Sequence, residues 1–200
     1  MAGSADHCLN QNSEGLNPWE RRQETGIPRA LLKTVKAVLG RPSEFFENLT
    51  IGKSMAEPFL FYLILAWPLQ CVSLLYQNIF HLQKTVNLPL PMELLLKIVG
   101  MPILFYMGAA VAHLFVIIFR GKLGFNGTLT VMAYSSASTG LLALVPVLGS
   151  IVGGIWNAVI IVIGYKRVHG FSTARAVLAY LGIIFISVLI LWAATAIHRF

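Results

Sequence analysis

The sequence has 200 residues, of which 56% are hydrophobic and 12% charged, and its mean hydropathy is +0.73. This composition predicts a polytopic membrane protein and leaves no room for a separate soluble domain of ordinary size. A net charge of +7 also occurs in nucleic-acid-binding proteins, but seven of the eight acidic residues lie at or before Glu57 and the basic residues gather in short segments. We therefore expect membrane lipids, and no nucleic acid, as the partner of these charges.

Residues 1–27 are polar and offer almost nothing to bury, which predicts a disordered cytoplasmic tail. Residues 28–56 follow as a separate interfacial segment. Within it, apolar residues recur at helical spacing and cations take the opposite face: Leu31, Leu32, Val35, Val38 and Leu39 against Arg29, Lys33 and Lys36. We predict an amphipathic helix that lies either in the cytoplasmic headgroup layer or on the protein's own helix bundle.

Residues 57–200 contain five apolar segments and predict an all-α integral membrane protein with five transmembrane helices. The expected spans are 58–80, 94–119, 129–145, 147–165 and 174–197. The central stretch from Leu129 to Tyr165 has no Lys, Arg, Asp or Glu over 37 residues. As one helix it would be roughly 55 Å long, too long for a single crossing of a core about 30 Å thick. Pro146 and Gly149 therefore mark the turn of a helical hairpin.

Charge predicts the orientation of these spans. Twelve of the 15 Lys and Arg residues fall on the side of the N-terminus when five spans are threaded. The excess of cations in cytoplasmic loops places the N-terminus in the cytoplasm and the C-terminus outside. The candidates for contact with lipid headgroups are Arg29, Lys33, Lys36, Arg120, Lys122, Lys166, Arg167 and Arg175.

Small residues mark the predicted helix-packing face. At 100° per residue, one arc of about 80° on the fourth span carries Gly149, Gly153, Asn157 and Gly164. The third span contributes Ser135 and Ser138 within its own run of small residues. Such faces let two helices approach closely, so we expect the fourth span to pack on the third one or on a second copy of the protein.

Four polar side chains are predicted to lie inside the membrane: Gln70, His113, Tyr134 and Asn157. Polar groups at that depth are costly and are functional candidates by default. Gln70 lies near the predicted kink at Pro68. Its amide is also suited to hydrogen-bond the backbone groups that such a kink leaves without partners. His113 has no carboxylate in any span to pair with, so it is either a neutral imidazole that bonds across helices or a proton- or ligand-linked group.

The sequence lacks the motifs of membrane catalysis and of coupled transport. No predicted span holds Asp or Glu, and no nucleophile elbow, zinc-binding H-E-x-x-H, C-x-x-C or phosphate-binding loop occurs. We expect no enzyme, no cofactor and no metal. Two hypotheses remain: a membrane-organising adaptor that works through lipid and helix contacts, with itself or other membrane proteins as partners, and an uncoupled conduit for a lipid or small solute.

Several short motifs resemble the bacterial branch of the Yip family, named for the Ypt/Rab-interacting proteins of the Golgi and ER. The central ones are Gly124-Phe125-Asn126-Gly127-Thr128, Ala133-Tyr134-Ser135, Val145-Pro146-x-x-Gly149, Ile155-Trp156 and Val168-His169-Gly170-Phe171-Ser172. Two upstream motifs resemble the same branch: Pro18-Trp19-Glu20 and Val38-Leu39-x-x-Pro42-x-x-Phe45-Phe46.

The resemblance implies five spans, a cytoplasmic N-terminus and a non-enzymatic role, which in eukaryotic members concerns Rab proteins and vesicle formation. Some bacterial relatives carry a zinc ribbon ahead of Pro-Trp-Glu, but only Cys8 is present here, so no metal is carried over. The acidic Asp-Leu-Tyr-Gly-Pro motif of eukaryotic members has no clear counterpart. This argues against small GTPase binding and favours a bacterial inner membrane over a Golgi or ER membrane.

Overall fold

The computed structural model describes residues 17–52, 54–79, 89–142 and 148–197, and the regular structure in these ranges is α-helical. The all-α prediction is therefore confirmed. Three short helices come first and five long ones follow: α1 (Arg22–Thr25), α2 (Ile27–Gly40), α3 (Pro42–Glu47), α4 (Ala56–Ile79), α5 (Leu90–Ile118), α6 (Phe125–Leu142), α7 (Leu148–Val168) and α8 (Thr173–Ile197). Of the predicted disordered tail 1–27, residues 1–16 lie outside the described residues, as do residues 81–88 and the predicted turn at Pro146. Residues 17–27 of the same predicted tail belong to the folded bundle, since Trp19 is fully buried there.

Three of the described helices are long and apolar enough to cross a membrane. They occupy Pro91–Ile118, Ile151–Val168 and Thr173–Ile190, and a shorter apolar helix covers Ala56–Val72. Large apolar side chains on these helices point away from the bundle, among them Leu104, Ile117, Phe185 and Trp192. Such an outward face is the one that a hydrocarbon environment requires.

Two helices begin four residues earlier than the predicted spans. α5 starts at Leu90, because Pro91 fits the first turn of a helix, where its missing N–H costs nothing. α6 starts at Phe125 and includes Asn126 and Thr128. These two residues are polar, so a prediction from apolar residues alone begins the span after them. The helices are therefore longer than the apolar segments from which they were predicted.

α6 is the central helix of the described bundle. It packs most extensively on α7, its neighbour in the predicted hairpin, and also contacts α2, α4 and α5. α8 lies against α5 and α7, and the short α3 lies on α7. α4 and α5, although adjacent in sequence, contact each other only slightly. The space that remains between α4 and α5 is lined on a third side by α6.

α2 packs on the bundle through one face. Its buried residues are Ala30, Thr34, Val35 and Val38, whereas Leu32 is 54% exposed. The three cations Arg29, Lys33 and Lys36 are also exposed. Of the two placements that the sequence left open, the structure shows packing on the bundle, and it leaves a mixed apolar and basic face outward.

Candidate functional site

The small residues of α7 face α6. A Cβ added at Gly153 would stand 3.3 Å from the carbonyl oxygen of Ser138 and 3.4 Å from the Cα of Thr139. The side chain of Asn157, one turn further along, brings its Oδ1 to 3.4 Å from the Ser138 hydroxyl, which also donates to the Ser135 carbonyl at 2.8 Å. Gly149 is buried as well. The candidate packing residues of the two helices thus meet each other within one chain.

Gly164 lies where three elements meet. A Cβ at this position would stand 2.5 Å from Cγ1 of Val131 on α6 and 3.3 Å from Cζ of Phe46 on α3. Only a residue without a side chain leaves room for both neighbours. Arg167, one turn later, forms an ion pair with Glu47 at 3.3 Å, which ties the same two helices at the surface. The short helix α3 is in this way part of the bundle.

The N-terminal segment is held to the bundle by a group of contacts that we call the clasp. In the clasp, Asn17, Trp19 and Arg22 contact Glu57 and Tyr134. Trp19 is fully buried and its Nε1 donates to the carbonyl of Glu57 at 2.9 Å. Arg22 forms a two-pronged ion pair with the Glu57 carboxylate. Asn17 donates to the Tyr134 hydroxyl at 2.9 Å. Tyr134, a polar candidate from the sequence, is thus fully buried and hydrogen-bonded.

His113 belongs to a second polar cluster, the histidine pair, with Thr128 and His169. Nδ1 of His113 lies 2.9 Å from the Thr128 hydroxyl, and Nε2 of His169 lies 3.3 Å from the same oxygen. Because the hydroxyl has one proton and two lone pairs, it donates to at most one of the two imidazoles, and at least one imidazole donates to it. The pair therefore joins α5, the start of α6 and the segment after α7.

His169 is buried among aromatic rings, 5.8 Å from Tyr165 and 5.9 Å from Phe171 between ring centroids. Burial first, and the neighbouring His113 second, lower the pKa of His169 to about 4, while a hydrogen bond with the backbone of Leu123 acts in the opposite direction. The imidazole is consequently neutral at pH 7. Gly170, with φ of +68°, turns the chain immediately after it toward α8.

The candidate headgroup residues gather at one end of the bundle. Arg120 and Lys122 follow α5, Lys166 and Arg167 lie in the last turn of α7, and Arg175 lies in the first turn of α8. All are exposed except Lys166, which is half-buried. With the outward cations of α2 they form the surface that we call the basic end. Within it, Arg167 pairs with Glu47.

Gln70, the remaining polar candidate, lines a groove between α4, α5 and α6. The groove has a volume of about 340 Å³. At one end, Nζ of Lys97 donates to Oε1 of Gln70 at 3.4 Å. At the other end, Tyr62 stacks on Phe105 with ring centroids 4.0 Å apart. The groove is thus bounded by a polar pair on one side and an aromatic pair on the side of the basic end.

The structure assigns contacts to residues that the sequence pattern alone did not single out as sites. His169, Trp19 and Thr128 were visible only inside the family motifs, and Asn17 and Arg22 carried no signal at all. Their partners are separated from them by tens of residues, so no periodicity in the sequence reveals the pairing. Among the described residues, no group of three His, Cys, Asp or Glu side chains is placed to hold a metal ion.

Comparison with known proteins gives one informative result. A family model, the Yip1 domain, matches residues 36–195. Searches of curated proteins and of solved structures return no match. The matched range contains the histidine pair, the packing face of α6 and α7 and the groove, whereas Asn17, Trp19 and Arg22 of the clasp precede it.

Proposed function

Since the chain belongs to the Yip1 domain family and carries apolar helices of spanning length, it is an integral membrane protein, and we propose that it acts as a non-enzymatic, membrane-organising adaptor. The observation that carries this proposal is the basic end. There α2 is anchored on the bundle by one face and presents Leu32 with Arg29, Lys33 and Lys36 on the other. An apolar side chain flanked by cations suits the boundary between anionic headgroups and acyl chains.

The topology that goes with this function is five spans with the N-terminus in the cytoplasm, in a bacterial inner membrane. In that arrangement the cations of the basic end lie in the cytoplasm, as the positive-inside rule requires. Fusing a reporter that is active only in the cytoplasm to either terminus tests it. Activity at the N-terminus alone supports the proposed topology, whereas activity at both termini would require an even number of spans.

The adaptor function is tested by crosslinking a tagged copy in its membrane, followed by mass spectrometry of the attached proteins and lipids. Lys33→Glu with Lys36→Glu should remove the partners that recognise the basic end. Arg41→Gln is a matched control, because this exposed cation already pairs with Glu44 at 3.5 Å. A pattern of crosslinks that is identical in all three proteins would contradict a role for this surface.

A second candidate function is an uncoupled conduit for a lipid or small solute, and the groove between α4, α5 and α6 favours it. The groove brings Gln70, Ser136 and Thr139 together beside α5, which is long and apolar enough to cross a membrane. Tyr62 lines the groove and stacks on Phe105, so movement past this aromatic pair would require the two rings to separate. Energetic coupling to protons or ions is not part of the proposal, because the described residues that line the groove include no carboxylate.

Flux measurements in reconstituted vesicles distinguish the two functions. His113→Ala and Asn157→Leu each remove an interhelical hydrogen bond and should cost about 1 kcal/mol of stability. An adaptor shows no flux before or after these changes. A transport of labelled lipid or solute that rises when Tyr62→Ala opens the aromatic pair, at unaltered stability, would establish the conduit and replace the first proposal.

A further inference from the structure

The groove offers hydrogen-bond acceptors rather than donors along α6. The Ser136 hydroxyl donates to the carbonyl of Ala133 at 2.6 Å, and the Thr139 hydroxyl donates to the carbonyl of Ser136 at 3.1 Å. Each hydroxyl has a single proton, which is used within the helix, and two lone pairs. What remains for a ligand is the acceptor side of each oxygen. A molecule that satisfies them must bring N–H or O–H groups.

The end of the groove at Gln70 offers donors. Lys97 is a half-buried cation on an apolar helix, and it uses one of its three N–H groups on Gln70. Glu93 lies four residues earlier, on the same face of α5, so this face carries one charge of each sign rather than a net positive charge. A phosphate fits the ammonium of Lys97, while overall neutrality suits a zwitterionic or singly charged ligand.

Other walls of the groove are apolar. Leu65 and Leu69 of α4 and Met101 of α5 line the groove. Its volume of about 340 Å³ lies at the low end of the range of about 300–1,000 Å³ that small-ligand sites occupy. It therefore suits a headgroup and the adjoining glycerol, with the acyl chains left in the surrounding bilayer.

We propose that this groove binds one glycerophospholipid whose phosphate lies at Lys97 and Gln70 and whose headgroup donates hydrogen bonds to Ser136 and Thr139. Phosphatidylethanolamine, through its ammonium, and phosphatidylglycerol, through its hydroxyls, have the required donors. Phosphatidylcholine has none. The inference deepens the second candidate function and rests on the groove being accessible to lipid, but it requires binding only and no flux.

Native mass spectrometry of the protein released from nanodiscs tests the proposal. The discs contain equal amounts of phosphatidylcholine, phosphatidylethanolamine and phosphatidylglycerol. The expected result is retention of the ethanolamine or glycerol lipid over the choline lipid. The two donor-bearing lipids distinguish an ammonium from a hydroxyl as the group recognised. Equal retention of all three lipids overturns the proposal.

Variants locate the site. Ser136→Ala with Thr139→Val keeps the side-chain volumes and should lower the preference over phosphatidylcholine by about fivefold for each accepting oxygen lost. Ser187→Ala with Thr195→Val is the matched control, since these α8 hydroxyls are exposed and also donate to carbonyls of their own helix at 2.8 Å. A preference that survives in the first variant, or is lost in the control, overturns the assignment.

A third variant keeps the test decisive if the first does not fold. Ala66→Leu fills the groove from α4 and leaves both hydroxyls in place. It should remove retained lipid of every headgroup, and unchanged retention contradicts a site in the groove. Flux of labelled lipid, measured separately in vesicles, tests the conduit function independently of the lipid site. Selective retention without flux refutes the conduit and leaves the lipid site standing.

Discussion

The side-chain amide of Asn17 donates a hydrogen bond to the hydroxyl of Tyr134 across 117 residues of the chain. The same tyrosine packs against Phe45 and Phe61, with ring centroids 5.1 Å and 4.9 Å away. One buried side chain of α6 thus connects the N-terminal segment, α3 and α4. The region ahead of the membrane helices is therefore a part of the folded bundle, and its loss should be felt by the whole structure.

Trp19→Ala should be strongly destabilising. The indole is fully buried, donates to the Glu57 carbonyl and lies 5.6 Å from Phe61 in an edge-on arrangement. Removing it leaves a cavity and deletes the hydrogen bond to the Glu57 carbonyl, and a loss of about 3–5 kcal/mol in the free energy of unfolding is expected. Unfolding by denaturant in detergent micelles measures it. Trp192→Ala is the control, since that side chain is 70% exposed and should change stability by less than about 1 kcal/mol. Equal effects of the two substitutions would mean that the clasp does not form.

Gly153→Ala and Gly154→Ala should have opposite effects. A Cβ at Gly153 meets backbone atoms of Ser138 and Thr139 at 3.3 and 3.4 Å, which cannot move independently of α6, so a loss of about 1–3 kcal/mol is expected. A Cβ at Gly154 meets nothing within 4 Å, and the substitution should stabilise α7 by about 0.5–1 kcal/mol through helix propensity. Thermal unfolding of both variants is the measurement. Destabilisation by Gly154→Ala, or none by Gly153→Ala, would place the packing face elsewhere.

The packing face of α7 could be predicted because it depends on helical geometry alone. Gly149, Gly153 and Asn157 follow one another at intervals of four residues, and a helix puts such residues on one side whatever their neighbours are. The partner followed from the short distance to the next apolar segment, since a tight hairpin leaves few alternatives. The contact of Gly153 with Ser138 and Thr139 is what this reasoning anticipates.

The clasp and the histidine pair could not be predicted in the same way. Arg22 and Glu57 are ordinary surface charges in the sequence, and Thr128 precedes the apolar part of its helix. Their roles depend on where separate helices come to lie against each other, which periodicity does not specify. His169 lies in a polar segment between two spans, where histidine is normally solvated, yet it is buried by Tyr165 and Phe171.

The burial of His169 predicts that stability falls in mild acid. Its pKa is about 4 in the folded protein, against about 6.5 for a free imidazole, so between these values the unfolded chain binds a proton that the folded one does not. The contribution of the neutral form is complete above about pH 6.5 and is lost as the pH falls to 4. The shift corresponds to about 3 kcal/mol. Denaturant unfolding between pH 4 and 7.5 measures it.

His169→Gln is the test of this assignment, because the amide can still bond Thr128 but does not titrate in this range. The pH dependence between 4 and 6.5 should be reduced in this variant, at the cost of some stability at pH 7.5. His113→Gln is the companion variant, since His113 shares the Thr128 hydroxyl and lowers the pKa of His169 by its charge. An unchanged slope in His169→Gln would show that other groups titrate.

The two faces of α2 should respond differently to a new carboxylate. Val35 is buried against the bundle, and Val35→Glu places an unpaired charge there, so a loss of about 3 kcal/mol or more is expected even in detergent. Leu32 points outward, and Leu32→Glu should change stability in detergent by less than about 0.5 kcal/mol.

In bilayers with anionic lipid, however, Leu32→Glu puts a negative charge among Arg29, Lys33 and Lys36 and should weaken attachment to the surface. Faster proteolysis of residues 28–39 of this variant in anionic vesicles, with wild-type rates in detergent, is the expected signature. Proteolysis at the wild-type rate in both settings would mean that the outward face of α2 does not contact lipid, and the adaptor would then have to act through the remaining cations of the basic end.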